Sequence, residues 1–138
     1  MTGALAQPLP ANLCPLITCE HGGNRVPPCF RSLFRGHEDL LESHRGHDPG
    51  ALTLARDLAM ALGAALVVST VSRLIIDLNR SPGHPRLYSE ITRPLPASSR
   101  RAILRRYYLP YRERVEGRIA AAVASGRRVL HILSLIHI

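Results

Sequence analysis

The feature that most constrains the fold is a kind of strand. The runs Leu13–Cys19, Ala64–Ser69 and Leu74–Leu78 are largely apolar at successive positions, not at alternate ones. A strand with one wet face alternates. A strand covered on both faces does not, and such strands belong to parallel or mixed sheets flanked by helices. A fourth run, Val129–Ile132, follows the last helical segment. The expected class is α/β with a mostly parallel or mixed sheet, and 138 residues are enough for one domain.

Helical periodicity occupies the gaps. Ala51, Leu52, Ala55, Leu58, Ala59 and Leu62 recur at helical spacing, so a helix is expected from Pro49, capped by Asp48, to Leu62, where Gly63 stops it. A weaker helix is expected over Arg31–Leu41, after an extended loop over Asn24–Arg31 imposed by Pro27 and Pro28. His84–Pro96 has no periodicity and carries Pro85, Pro94 and Pro96, so it reads as a long binding loop or lid. From Ser98 a helical face of Ile103, Leu104, Tyr107, Tyr111, Val115 and Ile119 runs to Gly126, with Pro110 kinking it or starting a second helix.

The ends read differently from the middle. Residues 1–12 form a loose lead-in without the basic and apolar regions of a secretory signal. The domain occupies 13–132. Residues 133–138, Leu-Ser-Leu-Ile-His-Ile, depart from the arginine- and alanine-rich style before them and match what a sequencing-library adapter would encode. They read as a non-native tail, and His131 and His137 are set aside as site residues. No apolar run approaches the roughly 20 residues that span a bilayer, so a soluble, cytoplasmic protein without a membrane partner is expected.

The net charge of +8 comes entirely from arginine, with nine of the 18 arginines between Arg100 and Arg128. Such a field suits nucleic acid or an anionic small molecule. The absence of tryptophan and of any zinc-finger or RNP-like pattern argues against nucleic acid. Cys14, Cys19 and Cys29 are odd in number and lack C-x-x-C spacing, so no disulfide framework is expected. A soft metal site of Cys19, His21 and Cys29 is the alternative to cysteines acting as small core residues.

Three polar clusters fall where elements should end. Thr18-Cys19-Glu20-His21-Gly22-Gly23-Asn24 closes the first strand, His44-Arg45-Gly46-His47-Asp48 opens the first long helix, and Asp77-Leu78-Asn79-Arg80 closes the third strand. Ligands of open α/β sheets bind outside the carboxyl ends of strands, which is where two of these clusters should lie. Each also has a structural alternative. The glycines fit a turn, Asp48 fits a helix cap, and Asp77 to Arg80 fits an Asx-type turn with Arg80 paired to Asp77.

With all three in order, the chain resembles the N-formylglutamate amidohydrolase family, through Cys19–Asn24, His44–Ala51 and Ser72–Ser81. The resemblance implies a three-layer α/β/α fold of zinc-exopeptidase type. It also implies metal-dependent hydrolysis of an N-acyl amide on an acidic amino acid such as N-formylglutamate. The family's next segment, a strand with a His-Ser-Phe-Thr-Pro-like motif, does not follow, so the chain reads as C-terminally truncated. Asp-x-Asn-Arg is similar to the element with which aspartoacylases and zinc carboxypeptidases grip a substrate carboxylate, which assigns that role to Asn79 and Arg80. Their His-x-x-Glu metal pair aligns its histidine with His21 and its glutamate with Asn24, a poorer ligand. Asp48 or Glu20 is therefore expected as the carboxylate partner.

The resulting expectation is Zn²⁺ on His21 and Asp48, with a third ligand from sequence beyond Ile138. Glu20 is the general base, Arg73 stabilises the oxyanion, and Asn79 and Arg80 hold the substrate carboxylate. An inactive fragment or non-enzymatic binding protein is the alternative, with a basic nucleic-acid module behind it. Oligomeric state is left open.

Overall fold

A computed structural model describes residues 8–135. Its sheet has β1 (Leu13–Cys19), β2 (Ala65–Val68) and β3 (Arg128–Leu133), all parallel, in the order β2-β1-β3. With partners on both sides, β1 is the central strand. Ile17, Thr18 and Cys19 are fully buried, and burying a side chain the size of Ile17 is worth roughly 1.5–3 kcal/mol.

The chain after β1 forms a 3₁₀ turn over Pro28–Phe34 and a short helix α1 (Glu38–Glu42) before α2 (Ala51–Leu62). α2 covers one face of the sheet, where Ala51, Ala55 and Ala59 pack against Ile17 and Cys19. Small residues there let helix and sheet approach closely. Beyond β2 and a long irregular segment, α3 (Ala97–Ile103) passes through a π-helical turn, Leu104–Tyr108, into α4 (Leu109–Ala124). α4 covers the opposite face, where Tyr111 and Val115 join Leu16 and Val67 in the larger core. Helix, parallel sheet and helix are the three layers that doubly covered strands require. Among the described residues no helix is long and apolar enough to cross a membrane.

Several sequence expectations are corrected. Leu74–Leu78 is not a strand but a buried series of turns whose amides bond to loops: Ile75 N–H donates to Ser72 O at 3.0 Å and Asp77 N–H to Leu87 O at 2.8 Å. Leu74, Ile75, Ile76 and Leu78 are all buried, so the run reports enclosure and carries no information on backbone geometry. α2 starts two residues late because Gly50, at φ 87°, takes a left-handed conformation and occupies the N-cap position, where it has no side chain to offer. Asp48 thus stands two residues before the N-cap position expected of it. The Arg31–Leu41 helix is replaced by the 3₁₀ turn and α1, and the turn also takes over the end of the expected Asn24–Arg31 loop. Pro110 falls in the first turn of α4, at the start of the second helix that the sequence allowed, where its missing N–H costs little, and the π turn before it joins α3 to α4.

At the ends, Arg128 N–H donates to Asn12 O at 2.8 Å, and Leu133 completes β3 opposite Thr18. Ser134 Oγ donates to Ala51 O at 2.7 Å, and His131 Nε2 lies 2.8 Å from Thr18 Oγ1. His137 lies outside the described residues.

Candidate active site

The carboxyl end of β1 delivers His21 into a buried network. Gly22 N–H donates to Ser69 O and Arg25 N–H to Thr70 O, so the chain leaving β1 runs flush against the chain leaving β2. Glycine is needed here for closeness: a Cβ on Gly23 would meet Thr70 O at 2.6 Å. Gly46 is fixed in the same way, with no room for a Cβ against Leu41 O. Its carbonyl accepts from both Ser72 Oγ, at 2.9 Å, and Arg73 N–H, at 3.0 Å. Asp48 N–H then donates to His21 O at 2.9 Å. Three segments far apart in sequence are thus pinned together by backbone bonds before any functional side chain is considered.

The side chains follow. His21 Nε2 lies 2.7 Å from Asp77 Oδ1, and Nδ1 lies 3.4 Å from Asp48 Oδ2. All three residues are buried. Arg73 reaches between the two acids, with Nη1 3.5 Å from Asp48 Oδ1 and Nη2 3.5 Å from Asp77 Oδ2. Arg80 Nε stands 3.8 Å from Asp77 Oδ2. Burial alone would raise the Asp77 carboxyl. The His21 hydrogen bond and charge, the Asn79 amide and Arg73 outweigh it and hold the group below its ordinary value.

Asp77 opens onto a cavity of about 400 Å³, whose wall also includes Arg73, Arg80 and three further arginines. That volume lies within the range of small-molecule sites.

Of the six residues expected from sequence, the structure brings His21, Asp48, Arg73 and Arg80 together. It does not bring in Glu20 or the Asn79 side chain. Glu20 faces the other side of the sheet, where Tyr111 Oη donates to its Oε1 at 3.1 Å, and its Oε2 has no partner among the described residues. Asn79 is exposed and lies outside the cavity wall. Its backbone N–H donates to Asp77 Oδ1 at 2.9 Å, which is the Asx turn that the spacing also allowed. Asp77 is the residue that sequence reasoning missed. The usable signal was chemical: a buried imidazole needs a partner on each nitrogen, and Asp48 supplies only one.

Among the described residues no group of three or more His, Cys, Asp or Glu is arranged to hold a metal ion, so the soft site of Cys19, His21 and Cys29 does not form. Burial, with the Glu20 and Asp48 carboxylates nearby, pushes the Cys19 thiol up to about 11, and it stays protonated. The pair His21 and Asp48 does suit zinc. Nitrogen and oxygen ligands at about 2.0–2.2 Å from a tetrahedral ion stand roughly 3.3–3.5 Å apart. The 3.4 Å between Nδ1 and Oδ2 matches that spacing and is long for a hydrogen bond. A carboxylate on the other ring nitrogen is also the usual companion of a metal-binding histidine, and Asp77 occupies that position.

Comparison with known proteins gives a family and a fold. A family model described as N-formylglutamate amidohydrolase matches residues 14–134. The crystal structure of a gene product from Agrobacterium tumefaciens is similar, with a TM-score of 0.78 and 34% sequence identity over 86% of this chain and 50% of that one. The chain therefore spans about half the length of that relative. No curated protein matches it.

Proposed function

The chain belongs to the N-formylglutamate amidohydrolase family, and from that we propose that its cleft serves zinc-dependent hydrolysis of an N-acyl amide on an acidic amino acid, N-formylglutamate being the leading substrate. The observation that carries this reading is the continuous network from Asp48 through His21 and Asp77 to Arg73 and Arg80 at the mouth of an arginine-lined cavity.

In this reading His21 Nδ1 and Asp48 hold the ion. When bound, zinc acidifies water and polarises the scissile carbonyl. Asp77 is a positioning residue: by accepting the Nε2 proton of His21 it fixes the tautomer that leaves the Nδ1 lone pair free. Arg73, part-exposed between the two acids, is placed to stabilise negative charge developing on the acyl oxygen. Arg80 takes the α-carboxylate. Its backbone is held by two donors to its carbonyl, Tyr108 Oη at 2.6 Å and Arg112 Nη2 at 3.2 Å, so the guanidinium projects from a fixed point. Anchoring the carboxylate there orients the amide for attack.

Glu20 no longer suits the role of base, and the cavity's own acids are engaged, Asp77 by His21 and Glu90 by Arg45. The proton acceptor and a further zinc ligand are therefore not assigned to any of these residues. Three free cysteines support a cytoplasmic setting. A second reading, binding without turnover, draws on the absence of a three-ligand cluster among the described residues.

Formate release from N-formylglutamate in the presence of zinc, measured beside zinc stoichiometry, tests the proposal. His21→Ala should lose both the metal and at least about 100-fold in rate. Equal metal content and rate in that variant would reject the site, and zinc and substrate binding without formate release would favour the second reading.

A further inference from the structure

When the charges around the cavity are matched, one guanidinium, that of Arg86, is left without a carboxylate, and a second, that of Arg93, has none of its own. Arg45 is taken by Glu90 in a two-pronged pair, 2.5 Å for Nη1 to Oε1 and 2.6 Å for Nη2 to Oε2. Arg73 is shared by Asp48 and Asp77, and Arg80 leans on Asp77. Arg86 and Arg93 line the same cavity. The Arg86 guanidinium has no partner among the described residues, and Arg93 donates to a carbonyl, Tyr88 O at 3.4 Å from Nη2, and otherwise feels the Glu90 carboxylate that Arg45 already holds.

Both come from the irregular 84–96 segment, which is stapled to the buried chain beneath it. Ser89 Oγ donates to Leu74 O at 2.5 Å, Thr92 Oγ1 to Ile75 O at 3.0 Å, and Asp77 N–H to Leu87 O at 2.8 Å. Leu87 and Thr92 are buried. The segment is a wall registered on Asp77, so the two arginines it carries are held at a set place relative to Arg80.

The geometry points to a second carboxylate subsite at Arg86, reinforced by Arg93, which makes the cavity select dicarboxylic over monocarboxylic N-acyl amino acids. This rests on the reading above, in which Arg80 takes the α-carboxylate. A single carboxylate at Arg80 would leave Arg86 without an anionic partner and Arg93 with only a share in Glu90, both on the wall of the same cavity. A second carboxylate gives Arg86 the planar, two-pronged partner its fork fits.

Calorimetric titration with glutarate and with butyrate separates the subsite from the chemistry, because neither probe has an amide to hydrolyse. The protein should bind glutarate at least about tenfold more tightly than butyrate. Arg86→Gln should abolish most of that preference, and Arg86→Lys should keep part of it. Arg86 is exposed, so neither change threatens the fold. Arg101→Gln removes the same charge from the exposed side of α3 and should leave the preference intact. A full preference in Arg86→Gln, an equal loss in Arg101→Gln, or no preference in the unaltered protein overturns the subsite. If the preference depends on Arg86 but N-formylglutamate is not hydrolysed, the subsite stands and the amidase reading fails. If hydrolysis proceeds while the preference ignores Arg86, the reverse holds.

Discussion

Glu20 and His21 are neighbours in the chain, both ionisable and both buried, yet they have opposite surroundings. His21 continues the face of Ile17 and Cys19 and emerges between two carboxylates beside an open cavity. Glu20 continues the face of Leu16 and meets the Tyr111 hydroxyl under α4. One residue of pleat therefore separates a group joined to the cavity through Asp77 from a group in the core under α4. The lesson is that a polar cluster at a strand's end is not a unit of function. Each member's role depends on the face it lands on, and the strand's period of two splits the pair.

The sharpest way to break this contrast is to remove the histidine. His21→Ala leaves Asp48 and Asp77 buried without the imidazole between them, while the longer Arg73 and Arg80 contacts and the Asn79 N–H bond to Asp77 persist. Breaking a buried ionic arrangement by deleting one partner costs about 3–5 kcal/mol, and urea unfolding of the metal-free protein should show a loss of that order. A loss below about 1 kcal/mol would mean that the network contributes little to stability and that the two sides of β1 are energetically alike.

A smaller effect lies in pH. The Asp77 carboxyl is held below its ordinary value of 3.8 in the fold, so the folded state takes up its proton less readily than the unfolded state. Its stabilising contribution is complete above that ordinary value and is lost as pH falls through the lowered one. The thermal midpoint should therefore decline as pH drops below about 4, and Asp77→Asn should flatten that part of the profile. An unchanged slope in the variant would remove Asp77 from the linkage.

How much of this was legible follows from the same geometry. β1, β2, α2 and β3 could be read because a doubly covered strand and an amphipathic helix leave different spacing in the sequence, and the four segments fall where expected within a few residues. The same apolar signal misled at Leu74–Leu78, where complete burial produced a strand-like run in a series of turns. It was also silent on Glu20 against His21. Alternation is what reveals a strand's faces, and a strand covered on both sides has none to show. Asp48 was ambiguous for a different reason: its place before the helix depends on the left-handed Gly50, a backbone state that the residue type permits without announcing. Arg86 and Arg93 could not be singled out, since only the fold shows which arginines share a cavity and which of those already have partners.

The smallest expected effect sharpens the contrast from the other side. Glu20→Gln keeps an oxygen to accept the Tyr111 hydroxyl while removing a carboxylate whose second oxygen has no partner among the described residues. Losing a poorly compensated buried charge favours the fold, and the new amide must find an acceptor for its N–H, which opposes it. The two terms are of similar size and opposite sign, so stability should change by less than about 1 kcal/mol. Because Glu20 turns to Tyr111 on the α4 side of the sheet, zinc stoichiometry and the glutarate preference should be unchanged. A Glu20→Gln protein that folds normally but loses zinc would return Glu20 to the reacting side of the strand, and the division of labour between the two neighbours would have to be abandoned.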